Sequence, residues 1–135
     1  MTDAPSTRTV LHDPDGTIED QLPLDREPQL SLVKAVLAWT DTADLCESDL
    51  AQIALQLTGH ARIVAADLRR RAAGLPEHSK RRALVDVVLA EADRRLSTPV
   101  RGTVACCQNR ARLVRALYER LDRLAGVAPQ AVTAP

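Results

Sequence analysis

The sequence predicts an all-α protein, an up-down antiparallel bundle of four helices with a flexible N-terminal arm and a short C-terminal tail. Three observations predict it. Apolar residues recur every three to four positions over four stretches, and no stretch alternates at the period of a strand. The apolar 45% of the 135 residues is aliphatic, with no Phe and with Trp39 and Tyr118 as the only large aromatics. Short polar links between the four stretches make consecutive helices reverse direction. A chain of this length forms one domain, large enough to bury a core without disulfides or a structural metal.

Residues 1–23 are rich in Asp, Thr and Pro and poor in apolar side chains, so burial there does not offset ordering entropy, and an acidic flexible arm is expected. Within it, Asp13-Pro14-Asp15-Gly16-Thr17-Ile18 has the look of a calcium loop. Setting Gly16 at the sixth loop position, however, puts Leu11 and Leu22 where the essential ligands belong, so the segment is a turn. The bundle domain is expected over 24–126. Its first helix starts with Asp25 as N-cap, tolerates Glu27 and Pro28 in the first turn, and runs to Trp39 or Thr40. Leu30, Val33, Val36 and Leu37 form one apolar face, and Leu32, Ala35 and Trp39 form a second, offered as an interface to another chain or to a further helix.

Ser48 or Asp49 is expected to cap the second helix, which follows Leu50, Ile53, Leu57, Val64 and Leu68 to Ala73. There Gly74-Leu75-Pro76 suggests a left-handed C-cap. At 1.5 Å per residue this helix measures roughly 37 to 39 Å, which implies an elongated bundle. Ser79 caps the third helix, Lys80 to Ser97, with Leu84, Val85, Val88, Leu89, Ala92 and Leu96 along it. Pro99 suits the first position of the fourth, which follows Val100, Val104, Cys107, Ala111, Val114, Tyr118 and Leu121 to Ala125, with Gly126 as cap. Residues 127–135 are expected to fray.

The 18 basic and 18 acidic residues balance overall but not locally. Residues 1–49 hold eleven acids against three bases, a net of −8, which leaves +8 on the remainder. Arg62, Arg69 and Arg70 on the second helix and Arg112, Arg115 and Arg123 on the fourth make outward basic strips. Zero net charge, no aromatic residues interleaved for base stacking and no helix-turn-helix signature argue against nucleic acid as a partner. Cys46, Cys106 and Cys107 form no CxxC pair and are odd in number, which fits a reducing, cytoplasmic setting. No signal-peptide pattern opens the sequence, and no apolar run approaches membrane-spanning length, so no membrane partner is expected.

Polar residues on faces destined for the core are the candidate site. His60 lies between Leu57 and Val64; Asp67 and Arg71 continue its stripe; Arg110 lies between Cys107 and Val114. With the second and fourth helices parallel, His60 and Arg110 each stand eleven residues into their helix and share a layer. With Cys107 one turn away they form a candidate pocket for a carboxylate or phosphate. The alternative is structural: His60 bonded inside the core, Arg110 extended to the rim, and Asp67 with Arg71 as an i, i+4 ion pair. Gly59 interrupts the longest helix beside His60, either as a tolerated glycine or at a close approach. No catalytic residues, cofactor motif or metal set emerges. Adjacent cysteines on a helix diverge by about 100°, and His60 with Cys107 lacks further ligands in reach.

Leu22-Pro23-Leu24-Asp25-Arg26-Glu27-Pro28, Leu57-Thr58-Gly59-His60-Ala61-Arg62 and Gln108-Asn109-Arg110-Ala111-Arg112-Leu113-Val114-Arg115-Ala116-Leu117-Tyr118 carry a resemblance. In order and over about residues 22–125, the chain resembles an uncharacterised family of small actinobacterial proteins associated with natural-product biosynthesis gene clusters. The resemblance implies a cytoplasmic bacterial protein encoded near secondary-metabolite genes, and carries no catalytic residues with it. The expected function is a non-enzymatic accessory or protein-interaction bundle, self-associating or bound to another protein through the first or fourth helix. The alternatives are a small-molecule-binding or enzymatic bundle around His60 and Arg110, and a nucleic-acid-associated regulator.

Overall fold

The computed structural model describes residues 26–126, and these hold four helices and no strand: α1 (Arg26–Leu37), α2 (Glu47–Ala72), α3 (Lys80–Leu96) and α4 (Val104–Leu124). The arm over 1–23, its turn at Asp13–Ile18, the proposed cap Asp25 and the tail over 127–135 lie outside the described residues. Helix direction alternates along the chain. Arg26 reaches Asp122 while Gln108 donates to the carbonyl of Val36, so α1 is antiparallel to α4. Arg69 meets Asp93 and Arg62 meets the carbonyl of Leu96, so α3 is antiparallel to α2. Cys107 donates to the Leu50 carbonyl and His60 meets Tyr118, so α2 and α4 are parallel.

The parallel pair is the centre of the molecule. α2 and α4 share the most extensive pairing, α1 packs chiefly on α4, α3 chiefly on α2, and α1 and α3 do not touch. In a square bundle α2 and α4 would face each other across a diagonal. Here the alanines Ala54, Ala61 and Ala65 on α2 and Ala111 on α4, all buried, shorten that diagonal until the two backbones pack directly. Leu57, Val64, Leu68, Val114 and Leu117 fill the seam with no exposure. On α1, Val33 and Val36 are buried against this core, whereas Leu32 is half-buried and Ala35 exposed, and Trp39, just beyond the helix, is half-buried.

Several boundaries differ from the sequence expectation. α1 ends at Leu37, and Trp39 follows in a turn whose amide bonds the Val36 carbonyl. α2 starts one turn's edge earlier than expected: Cys46, not Ser48 or Asp49, is its N-cap, because Asp49 in the third helical position accepts from the Cys46 amide at 3.4 Å. Its other end closes in right-handed geometry on Ala73, and Gly74 does not take the left-handed conformation expected of it. Ser79 caps α3 as expected, accepting from the Arg82 amide at 3.1 Å.

α4 begins at Val104 with Thr103 as N-cap, so Pro99 and Val100 belong to the preceding loop. Gly102 explains the delay. A Cβ there would sit 2.5 Å from the Glu47 carbonyl oxygen, so the loop must pass flat against the start of α2 before it can turn into a helix. Gly126, at φ 80°, closes α4 in the left-handed region where glycine is unstrained.

Candidate functional site

The expected pocket residues are all placed, but they face different ways. Arg110 is 3% exposed. Its Nε donates to Thr58 Oγ1 at 2.9 Å, its Nη1 to the Arg95 carbonyl at 2.9 Å, and its Nη2 to the Thr98 carbonyl at 2.9 Å and Thr98 Oγ1 at 3.2 Å. The Arg95 and Thr98 carbonyls belong to the end of α3 and the loop beyond, where a helix leaves acceptors without partners. The guanidinium fork therefore ties α4 to α2 and closes the C-terminus of α3, with its positive charge on the negative end of that helix.

His60, 7% exposed, bonds instead to Tyr118, with Nε2 2.6 Å from the phenol oxygen and the rings tilted at 39°. Thr58 and His60 are two residues apart on α2, hence about 200° apart around its axis. Arg110 meets one side of that helix and Tyr118 the other. The expected shared layer does not form: with Leu50 against Cys107 and His60 against Tyr118, the parallel register sets His60 level with a turn of α4 eight residues beyond Arg110, about 12 Å along the axis. Arg110 spans to Thr58 through its long stem.

A second cluster surrounds Tyr118. The Arg26 guanidinium lies 4.3 Å from the Tyr118 ring centroid, and its Nη2 donates to Asp122 Oδ1 at 2.6 Å and Oδ2 at 2.7 Å. Stacking and ion pairing thus seat the first residue of α1 on the last turns of α4. Sequence reasoning took Tyr118 only as an apolar residue of the α4 stripe and overlooked Arg26, Asp122, Thr58 and Thr98. The available signal was that a buried Tyr needs a partner for its hydroxyl, and His60 was the polar residue on the facing stripe.

Cys107 is fully buried and its thiol donates to the Leu50 carbonyl at 3.1 Å. Burial first, and the neighbouring Cys106 second, push its pKa above the usual 9.0, which keeps it a neutral thiol. Asp67, 5% exposed, accepts from Arg70 at 2.7 Å and from Arg71 at 3.3 Å, the latter being the i, i+4 pair expected from spacing. Among the described residues no group of three or more His, Cys, Asp and Glu is placed to hold a metal ion. No helix there is long and apolar enough to cross a membrane. Gly59 is exposed with nothing within 4 Å of the Cβ it lacks, so among the described residues it marks no close approach.

The two basic strips have different fates. On α2, Arg62 donates to the Leu96 carbonyl at 2.9 Å, Arg69 to Asp93 at 3.3 Å and Arg70 to Asp67. On α4, Arg112 and Arg115 are exposed and make no hydrogen bond or ion pair among the described residues, and Glu119 is in the same condition. These residues edge two grooves. One, of about 420 Å³, runs between α1 and α4 and is lined by Leu30, Val33, Leu37 and Arg115. The other, of about 560 Å³, runs between α3 and α4 over Val87, Val88, Leu113 and Ala116, with Arg112, Arg115 and Glu119 at its α4 rim and Glu91 and Arg95 at its α3 rim. Val87 is 66% exposed at its edge, and Leu84, 52% exposed, stands one turn earlier on α3. Neither groove is lined by His60, Tyr118, Cys107 or Arg110.

No protein-family model matches the chain, and neither curated proteins nor solved structures provide a match to it.

Proposed function

We propose that the chain is a non-enzymatic accessory protein that works by binding another polypeptide, and that the α3–α4 face is its contact surface. The observation that carries this is the division between satisfied and unsatisfied groups. The buried polar side chains Thr58, Asp67 and Arg110 are occupied by bonds that join helices or helical turns. The outer face of α4 instead sets charge that has no pair among the described residues beside an apolar groove and the exposed Val87. Apolar surface rimmed by polar residues is the composition of a protein contact, where the centre loses water and the rim supplies register.

The resemblance of the segments around His60 and Asn109 to the actinobacterial family would place such a partner among proteins encoded beside secondary-metabolite genes, met in the cytoplasm. A photo-crosslinking side chain at Val87 tests the surface. In the producing cell it is expected to give a discrete protein adduct, whereas the same probe at Gln52, on the exposed side of α2, gives none. Absence of any adduct at Val87 would remove the proposal.

A further inference from the structure

Resting on the contact-face reading above, we propose that the polypeptide seated on the α3–α4 groove is a second copy of this chain, packed antiparallel about a two-fold axis that passes α4 between Arg115 and Ala116. The argument starts from spacing. Arg112, Ala116 and Glu119 stand at i, i+4 and i+7, so they form one stripe along the exposed side of α4. The two charges are seven residues apart, about 10.5 Å along the axis, with the small Ala116 between them. Both lack an ion pair among the described residues.

A stripe with a cation at one end, an anion at the other and a methyl group in the middle is complementary to itself when reversed. Rotation by 180° about its midpoint places Arg112 of each copy opposite Glu119 of the other and brings the two Ala116 side chains near the axis. A closed dimer of this kind uses the same patch on both copies, which is the symmetry most soluble homo-oligomers adopt. The apolar ground agrees with it. The α4 ridge of one copy fills the α3–α4 groove of the other, covering Val88 and Leu113 at its floor and the exposed Val87 at its edge.

An unrelated, strongly acidic partner fits less well, since it would pair Arg112 and Arg115 but repel Glu119. A parallel second copy would oppose like charges. Of these arrangements, only the reversed copy sets Arg112 opposite Glu119; it makes two such opposite-charge pairs against one like-charge approach, that of the two Arg115 side chains at the axis.

Sedimentation equilibrium of the full chain tests the pairing. The wild type is expected to be dimeric in the micromolar range. Arg112→Glu and Glu119→Arg should each weaken the dimer by at least about tenfold, because each places like charges across the axis twice. The double variant Arg112→Glu/Glu119→Arg restores opposite charges and should return to within a few-fold of wild type. Circular dichroism of each variant, substituted at exposed positions, is expected to match wild type. A wild type that stays monomeric, or a double variant no tighter than the single ones, overturns the proposal. Monomer together with a Val87 adduct to a different protein would overturn self-pairing and leave the contact face standing. Monomer with no adduct would remove both.

Discussion

The inward and outward faces of α4 differ in a way that Arg110 and Arg112 show within two residues. Arg110 faces α2 and α3 and makes four hydrogen bonds at 2.9 to 3.2 Å. Arg112, about 200° further around the helix, makes none among the described residues. Both are guanidinium groups on the same rigid rod, so residue type does not separate them. What separates them is whether the fold has already supplied carbonyl and hydroxyl acceptors. The inward face is finished chemistry and the outward face is open chemistry, and function is therefore sought outside.

The largest expected effect divides these two arginines. Arg110→Ala would take the guanidinium donor from Thr58 Oγ1 and the Thr98 carbonyl and leave the Arg95 carbonyl only its bonds from Thr98, and should lower unfolding free energy by about 3 kcal/mol in denaturant titration. Arg112→Ala, at an exposed site, should change it by no more than about 0.5 kcal/mol under conditions where the chain is monomeric. Equal losses would erase the distinction between the faces.

A smaller effect sharpens the inward face. Tyr118→Phe keeps the ring beneath Arg26 but removes the hydroxyl bonded to His60, and should cost about 1 kcal/mol with helicity unchanged. A neutral result would mean that the ring alone, through packing and its contact with Arg26, accounts for the stabilising role of Tyr118.

The smallest effect is a pH dependence. Burial raises the pKa of Cys107 above the usual 9.0, so the folded chain holds its proton where the unfolded chain releases it. The unfolded state therefore binds fewer protons above that value. Stability from this group is complete below about pH 9 and declines as pH rises toward the higher folded value. Cys107→Ala, which cannot titrate, should show a shallower alkaline decline in a series of thermal melts. Parallel declines in the two proteins would show that the thiol is not protected by burial.

Legibility in the sequence followed the same inward and outward division. The α3 cap at Ser79 and the Gly126 closure were readable, since each depends on a few adjacent residues. The faces of Leu57, Val64 and Val114 were readable because a helix turns by a fixed angle per residue. The Pro99 start of the fourth helix was not. Proline permits a helix there, but the approach of Gly102 to Glu47, 55 residues away in sequence, delays it. Likewise, a left-handed ending at Gly74 was permitted by residue type and was not used, since Ala73 already closes the turn in right-handed geometry.

The candidate site was half legible for the same reason. Periodicity put His60, Arg110, Cys107 and Asp67 on faces that lose water, and all four are buried. It could not say that His60 would meet Tyr118 or that Arg110 would turn toward Thr58 and the end of α3. By itself the sequence determined four amphipathic rods and their alternating directions, because periodicity and short links act locally. Tertiary structure alone decided that α2 and α4 close the diagonal, which partner each buried polar group takes, and which charges on α4 have no pair among the described residues. Those outcomes depend on the azimuth and register of one helix against another, and these are set by side-chain volumes summed across the whole seam.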